Sequence, residues 1–211
     1  SGGIPRKQKK ESAHPLVDML LPPTLRLLAI DPGTRYLGWA QSTIDFHDTQ
    51  STSGNSSYLT SYGTIEGSGS GVVLNSSIVS QVMELALLSD ELIIEEYVFI
   101  PGKTRGIFVV PSLIALIEYE WYRRTGKRIY RVPASMWKKV ICGAGNADKQ
   151  AVREAMRLHL PSELLDRIEK EYADAERKGS QDCIDAIALG LYCTDYLLSR
   201  PAEAQMLEEG E

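Results

Sequence analysis

Residues 25–34 read Leu-Arg-Leu-Leu-Ala-Ile-Asp-Pro-Gly-Thr, an apolar run that ends on an acid and then breaks. The run predicts a buried strand over 25–31, and Pro32-Gly33-Thr34 predicts a turn. Residues 36–43 (YLGWAQST) are aromatic and β-branched enough for a second strand. The Ser/Thr/Asn/Asp/Gly-rich stretch 44–57 then reads as a polar hairpin loop, with a third strand near 58–65 completing an antiparallel meander. After the breakers Gly67 to Gly71, Ile78, Val82, Leu85 and Leu87 recur at helical spacing within 75–88. A fourth strand is expected over 91–98, a helix over 111–125 stopped by Gly126, and a fifth strand over 128–132. The glycine loop 143–149 leads into a helix at 147–159, with Asn146 as its N-cap. Residues 162–179 read as a charged short helix plus loop, and the last helix spans 181–198. This order describes one mixed α/β domain over 25–198. Residues 1–24 read as a flexible lead-in whose Ser1-Gly2-Gly3 suggests an expression scar, and 199–211 as a disordered acidic tail.

The 211 residues suffice for one such domain with a full core. A hydrophobic content of 43% and charged content of 24% are ordinary for a soluble globular protein. No run approaches the roughly 20 apolar residues of a membrane span, and no signal-peptide pattern opens the chain. Cys142, Cys183 and Cys193 are odd in number and lack CxxC spacing, which suggests a reducing, cytoplasmic setting and no structural zinc. The net charge of −5 argues against a polyanion partner until it is divided along the chain. Residues 101–157 hold 12 basic and 4 acidic side chains. A basic block within an acidic protein fits either a polyanion-binding face or a solvated Lys/Arg-rich helix.

Four acids carry the chemistry. Asp31 ends the first strand, Glu95 follows the apolar triple Leu92-Ile93-Ile94, and Asp182 and Asp185 open the last helix. A carboxylate at the end of a buried strand is costly unless positive charge meets it. Acids from distant parts of a chain suggest a divalent-metal site with room for a phosphate, and hence phosphodiester hydrolysis. Each acid also has a plainer reading: a turn acid for Asp31, a surface residue for Glu95 with Glu96 as competitor, a helix-dipole partner for Asp182, and an exposed helical acid for Asp185.

Taken together, Ile30-Asp31-Pro32-Gly33-Thr34 with Gly38, Ile94-Glu95, Gly143-x-Gly145-x-Ala147-Asp148-Lys149 and Asp182-x-x-Asp185-Ala186-x-Ala188 resemble a RuvC-type Holliday-junction resolvase of the RNase H-like nuclease superfamily. The resemblance covers about residues 25–198, with the motifs in family order. It implies a mixed five-stranded sheet flanked by helices, and a homodimer that cuts two strands of a four-way DNA junction, leaving 5′-phosphate and 3′-hydroxyl ends. It also implies that Asp31, Glu95, Asp182 and Asp185 hold two Mg²⁺ ions, with Mn²⁺ as a substitute, and that Lys149 assists catalysis. Asp182 and Asp185 would lie on one helix face, about 5–6 Å apart at Cβ. Two ions about 3.5–4 Å apart would serve the attacking and leaving oxygens.

DNA contacts implied by the resemblance are Lys103, Arg105, Lys138, Lys139, Lys149 and Phe99. Lys138 reads equally as a solvated strand end, and Phe99 equally as a junction wedge or a core residue. Trp39 and Trp137 read as core, and Trp121 as core or dimer contact. Outside this resemblance, the Asp-x-Gly-Thr turn also opens actin/hsp70-like ATP-binding folds, and a junction-binding module or a nuclease for flaps or hybrids would share the same fold.

Overall fold

The computed structural model describes residues 24–45, 56–68, 70–99, 108–173 and 179–194. Five strands build one sheet: β1 (Thr24–Pro32), β2 (Tyr36–Asp45), β3 (Ser56–Glu66), β4 (Glu91–Glu96) and β5 (Tyr130–Pro133). Their order across the sheet is β3-β2-β1-β4-β5. The β1–β2–β3 meander is antiparallel, while β4 joins β1 in parallel and β5 joins β4 in parallel. The mixed five-stranded expectation therefore holds.

Period-two alternation sorts the side chains of the central strands to two cores. Leu28, Ile30, Leu92 and Ile94 pack with α1 (Gly71–Ala86) and α2 (Val109–Thr125). Leu27, Ala29, Ala40 and Ile93 pack on the opposite face with α6 (Ser180–Tyr192). That second core also receives Trp137 from α3 (Ala134–Cys142), Val152 and Met156 from α4 (Lys149–His159), and Leu165 and Ile168 from α5 (Ser162–Ala173). Strands buried on both faces explain why 25–31 and 91–94 are nearly continuous apolar runs. Helix α2 ends at Gly126, whose φ of 72° takes the left-handed turn and returns its N–H to the Tyr122 carbonyl.

Several boundaries differ from expectation. Helix α3 was not foreseen, because it starts directly from β5 with no polar connection; Pro133 ends the strand and caps the helix. The fifth strand is correspondingly 130–133 rather than 128–132. The cap of α4 is Asp148, not Asn146: its Oδ1 accepts the Ala151 N–H at 2.9 Å, while Ala147 N–H closes a turn on the Ala144 carbonyl. Helix α1 begins earlier, at Gly71, and β4 ends earlier, at Glu96. Trp121 is core, buried with Leu113, Ile114 and Ile117. The expected lead-in, the acidic tail and positions 195–198 of the last helix lie outside the described residues.

Candidate active site

The same alternation that builds the cores aims the acids. Asp31 follows Leu27 and Ala29 in parity, and Glu95 follows Ile93, so both point to the α6 face of the sheet. The parallel register pairs Ile30 with Ile94, which sets Asp31 and Glu95 side by side at the carboxyl ends of adjacent strands. Glu96 has the opposite parity along β4 and so belongs to the other face of the sheet.

Helix α6 is seated by residues without bulk. Gly38 is the register partner of Asp31. A Cβ built on Gly38 would stand 1.9 Å from the backbone oxygen of Asp182, so only glycine lets α6 lie this close to β2. At the far end, a Cβ added at Gly190 would meet Ala29 Cβ and Ser42 Oγ at ordinary contact distance, 3.6 Å for each. The start of α6, with Asp182 in its first turn and Asp185 three residues on, is thereby placed above the end of β1.

The four carboxyls act on one another. Burial pushes the Asp31 carboxyl well above the usual carboxylate range, and repulsion from Glu95, Asp185 and Asp182 adds to it, with Lys138 opposing. Glu95 is pushed up to about 6, first by burial; the hydrogen bond from Trp137 counters this, Asp185 and Asp182 raise it further, and Lys138 lowers it. Asp182 also reaches about 6, through burial and Asp185, with Lys149 opposing. Burial raises Asp185, while the Gln181 hydrogen bond and then Lys138, Lys149 and Arg153 pull it down. Among the described residues, no three His, Cys, Asp or Glu side chains are drawn together as a closed metal shell. The donor set nonetheless fits a hard divalent cation: four desolvated carboxyl groups share one region, and acidic neighbours raise the proton affinity of Asp31, Glu95 and Asp182, a repulsion that bound positive charge removes.

The lysines divide. Lys138 Nζ donates to the Ala147 carbonyl at 3.2 Å and lies 5.4 Å from the centre of the Trp137 ring, within electrostatic reach of three of the acids. It belongs to α3, so the strand-end reading is corrected. Lys149, exposed at the first position of α4, acts on Asp182 and Asp185 despite the unfavourable helix dipole there. Lys139 is exposed on α3. Phe99 is 58% exposed just beyond β4, which removes its core reading. Lys103 and Arg105 lie outside the described residues. Much of the basic block is already paired: Arg123 and Arg124 with Glu120, Lys127 with Glu91, Arg131 with Glu118, and Arg157 with Asp166 and Glu169.

Three residues at the site were not singled out from sequence. Trp137, expected only as core, is fully buried and donates Nε1–H to Glu95 Oε2 at 2.9 Å. Gln181 donates from Nε2 to Asp185 Oδ1 at 2.7 Å. Arg153 adds a third cation beside Asp185. The spacing i, i+4 from Gln181 to Asp185 and from Lys149 to Arg153 was the available signal.

No family model matches the chain. A crossover junction endodeoxyribonuclease RuvC from Beijerinckia indica subsp. indica is 30% identical over 189 residues, covering 82% of this chain and 87% of that protein. The structure of Thermus thermophilus RuvC in complex with Holliday junction substrate superposes with a TM-score of 0.59 at 18% identity, covering 82% of this chain and 94% of that one. The fowlpox virus Holliday junction resolvase superposes with a TM-score of 0.52 at 11% identity, covering 81% of this chain and 99% of that one. The two superpositions establish the fold, and the sequence match over most of both chains decides the rest: this protein belongs to the RuvC family of crossover junction endodeoxyribonucleases.

Proposed function

We propose that this chain is a structure-selective endonuclease that resolves four-way DNA junctions by paired, divalent-metal-dependent nicks, leaving 5′-phosphate and 3′-hydroxyl ends. Family membership supports the reaction class, and the relatives' printed substrate supports the junction. The observation that carries the site is the seat of Asp182 on Gly38, the strand partner of Asp31, which gathers acids from both ends of the chain. Asp31, Glu95, Asp182 and Asp185 would hold Mg²⁺, two per site, with Mn²⁺ as a substitute. Bound there, the cations supply Lewis acidity for phosphodiester hydrolysis and relieve the carboxylate repulsion.

The remaining work falls to the chain's own groups. Lys149, at the mouth of the site, would hold the scissile phosphate, and Lys138 would place charge beside the strand from its seat on the Ala147 carbonyl. Lys103, Arg105, Lys139 and Phe99 are proposed to meet the junction arms and centre; exposure suits the last two.

A homodimer supplies the second cut. Helix α2 carries apolar side chains on its outer as well as its buried side, and a cluster of exposed apolar side chains suits a protein partner. Its outer side carries Phe108, Leu116, Tyr119 and Tyr122, exposed in the single chain. No helix among the described residues is long and apolar enough to cross a membrane. Cys183 and Cys193 are buried thiols outside any disulfide, consistent with a reducing compartment such as the cytoplasm.

Incubation with a synthetic mobile four-way junction and with its linear arms, in Mg²⁺ or in EDTA, tests the proposal. Symmetric nicking of the junction alone, only with Mg²⁺, is expected. Asp31→Asn should abolish cutting and leave junction binding in a gel shift largely intact. Unchanged cleavage by that variant would remove Asp31 from the site.

A further inference from the structure

We propose that Trp137 and Gln181 are positioning residues that each hold one oxygen of a metal-binding carboxylate, Glu95 and Asp185 respectively, and leave the other oxygen to the cation; this rests on the metal-dependent reading above. Trp137 is completely buried in the core between sheet and α6, so its indole has one orientation. From that position the Nε1–H meets Glu95 Oε2 at 2.9 Å. Its ring face receives Lys138 Nζ at 5.4 Å. An aromatic ring has a positive edge and a negative face, so one side chain holds an anion at its rim and a cation above its plane. Glu95 and Lys138 are thus fixed relative to each other by a residue that carries no charge.

Gln181 does for Asp185 what Trp137 does for Glu95. It is buried at 8% exposure, one helical turn before Asp185, and its amide donates to Oδ1 at 2.7 Å. The carboxylate dictates the amide's orientation, since the reverse would press two oxygens together. Gln181 Oε1 then remains a buried acceptor with no donor among the described residues. A buried acceptor without a partner is destabilising, so packing alone does not account for this residue. Both donors are neutral. A lysine or arginine in either place would cancel charge that the cation needs, whereas an indole or amide N–H orients an oxygen and leaves the site anionic. Hydrogen bonds behind the ligands of metal sites have this function generally.

The variants Trp137→Phe and Gln181→Met keep apolar bulk and remove the N–H donor. Titration of Mn²⁺ alone into DNA-free protein, followed by calorimetry, is expected to show binding weakened by about 10–100-fold in each. The half-saturating metal concentration for junction cleavage should rise with it, while junction binding in EDTA stays within about twofold of the parent. A purely structural role would lower the thermal midpoint and leave Mn²⁺ affinity where it was; Gln181→Met is expected to melt no lower than the parent. If Trp137→Phe fails to fold, Gln181→Met decides alone. Asp31→Asn serves as reference: if it loses Mn²⁺ binding and cutting while the two variants bind Mn²⁺ within twofold of the parent, the positioning role is overturned and the metal reading stands. If the parent itself binds no Mn²⁺ and cuts the junction equally well in EDTA, the metal reading falls, and this inference with it.

Discussion

Glu95 retains its proton up to about pH 6 in the folded chain because water is excluded from it and Asp185 and Asp182 face it; Trp137 and Lys138 only partly compensate. Its ordinary value is 4.5, so between these two limits the folded state binds more protons than the unfolded one. Stability from this group therefore declines as pH rises through that window, and the full penalty is present above it. The span corresponds to on the order of 2 kcal/mol. Asp31, Asp182 and Asp185 are shifted in the same direction, so they deepen the effect. Glu95→Gln carries no charge at any pH and still accepts the Trp137 N–H. We expect it to match the parent in urea melts at pH 4.5 without divalent ions and to exceed it by about 1–2 kcal/mol at pH 7.5. Mg²⁺ should then stabilise the parent more than the variant. Parallel pH profiles for the two proteins would mean that Glu95 is not desolvated among like charges.

At the scale of elements, everything depends on α6 lying against β2. The obstacle to a side chain at Gly38 is the Asp182 backbone, which cannot rotate away, so Gly38→Ala must lift the first turn of α6 from the sheet. Overpacking of this kind costs about 3 kcal/mol, and it displaces Asp182 and Asp185 together; unfolding and cleavage should both register it. Gly190→Ala is the matched control on the same interface. Its new methyl would meet only Ala29 Cβ and Ser42 Oγ at 3.6 Å, and alanine favours a helix by about 1 kcal/mol. Gly190→Ala should be neutral or stabilising and fully active; equal damage from both would show that α6 tolerates no change anywhere. The strands and the placement of Asp31 and Glu95 were legible in the sequence because burial on both faces writes long apolar runs that stop at the acids. Helix α3 was not, since nine residues starting directly after a strand's last proline leave no polar gap and only about two and a half turns in which to show a period. The donor roles of Trp137 and Gln181 were invisible for a different reason. Sequence records that an indole is apolar enough for a core, and only the fold shows that its one N–H ends on a carboxylate.

At the scale of the whole molecule, charge and apolar surface point to different faces. The ion-paired arginines and lysines of the basic block include Arg123 and Arg124, which join Glu120 at the end of α2. Exposed pairs of this sort contribute little to stability, and their cations are partly neutralised toward DNA. Lys138, Lys149 and Arg153, by contrast, collect beside the acids. Sequence counting placed all of these cations in one block because it follows chain order, whereas α2 lies on the opposite face of the sheet from α3 and α4. We propose the outer side of α2 as the surface for a second copy, since Phe108, Tyr119 and Tyr122 are 79%, 61% and 58% exposed there. Leu116, 37% exposed, borders this surface, whereas Leu113, Ile114 and Ile117 are buried. Replacing both Leu116 and Tyr119 with glutamate should therefore spare the core and separate the copies. Light scattering is expected to report a dimer for the parent and a monomer for the double variant, with melting temperatures within a few degrees. On a plasmid carrying an extruded cruciform, a dimer cuts opposite strands within one encounter and yields linear product, whereas a separated chain yields nicked circles. Should the double variant keep the parent's mass and still linearise the plasmid, α2 is not the dimer face, and the second active site must be brought to the junction by another surface.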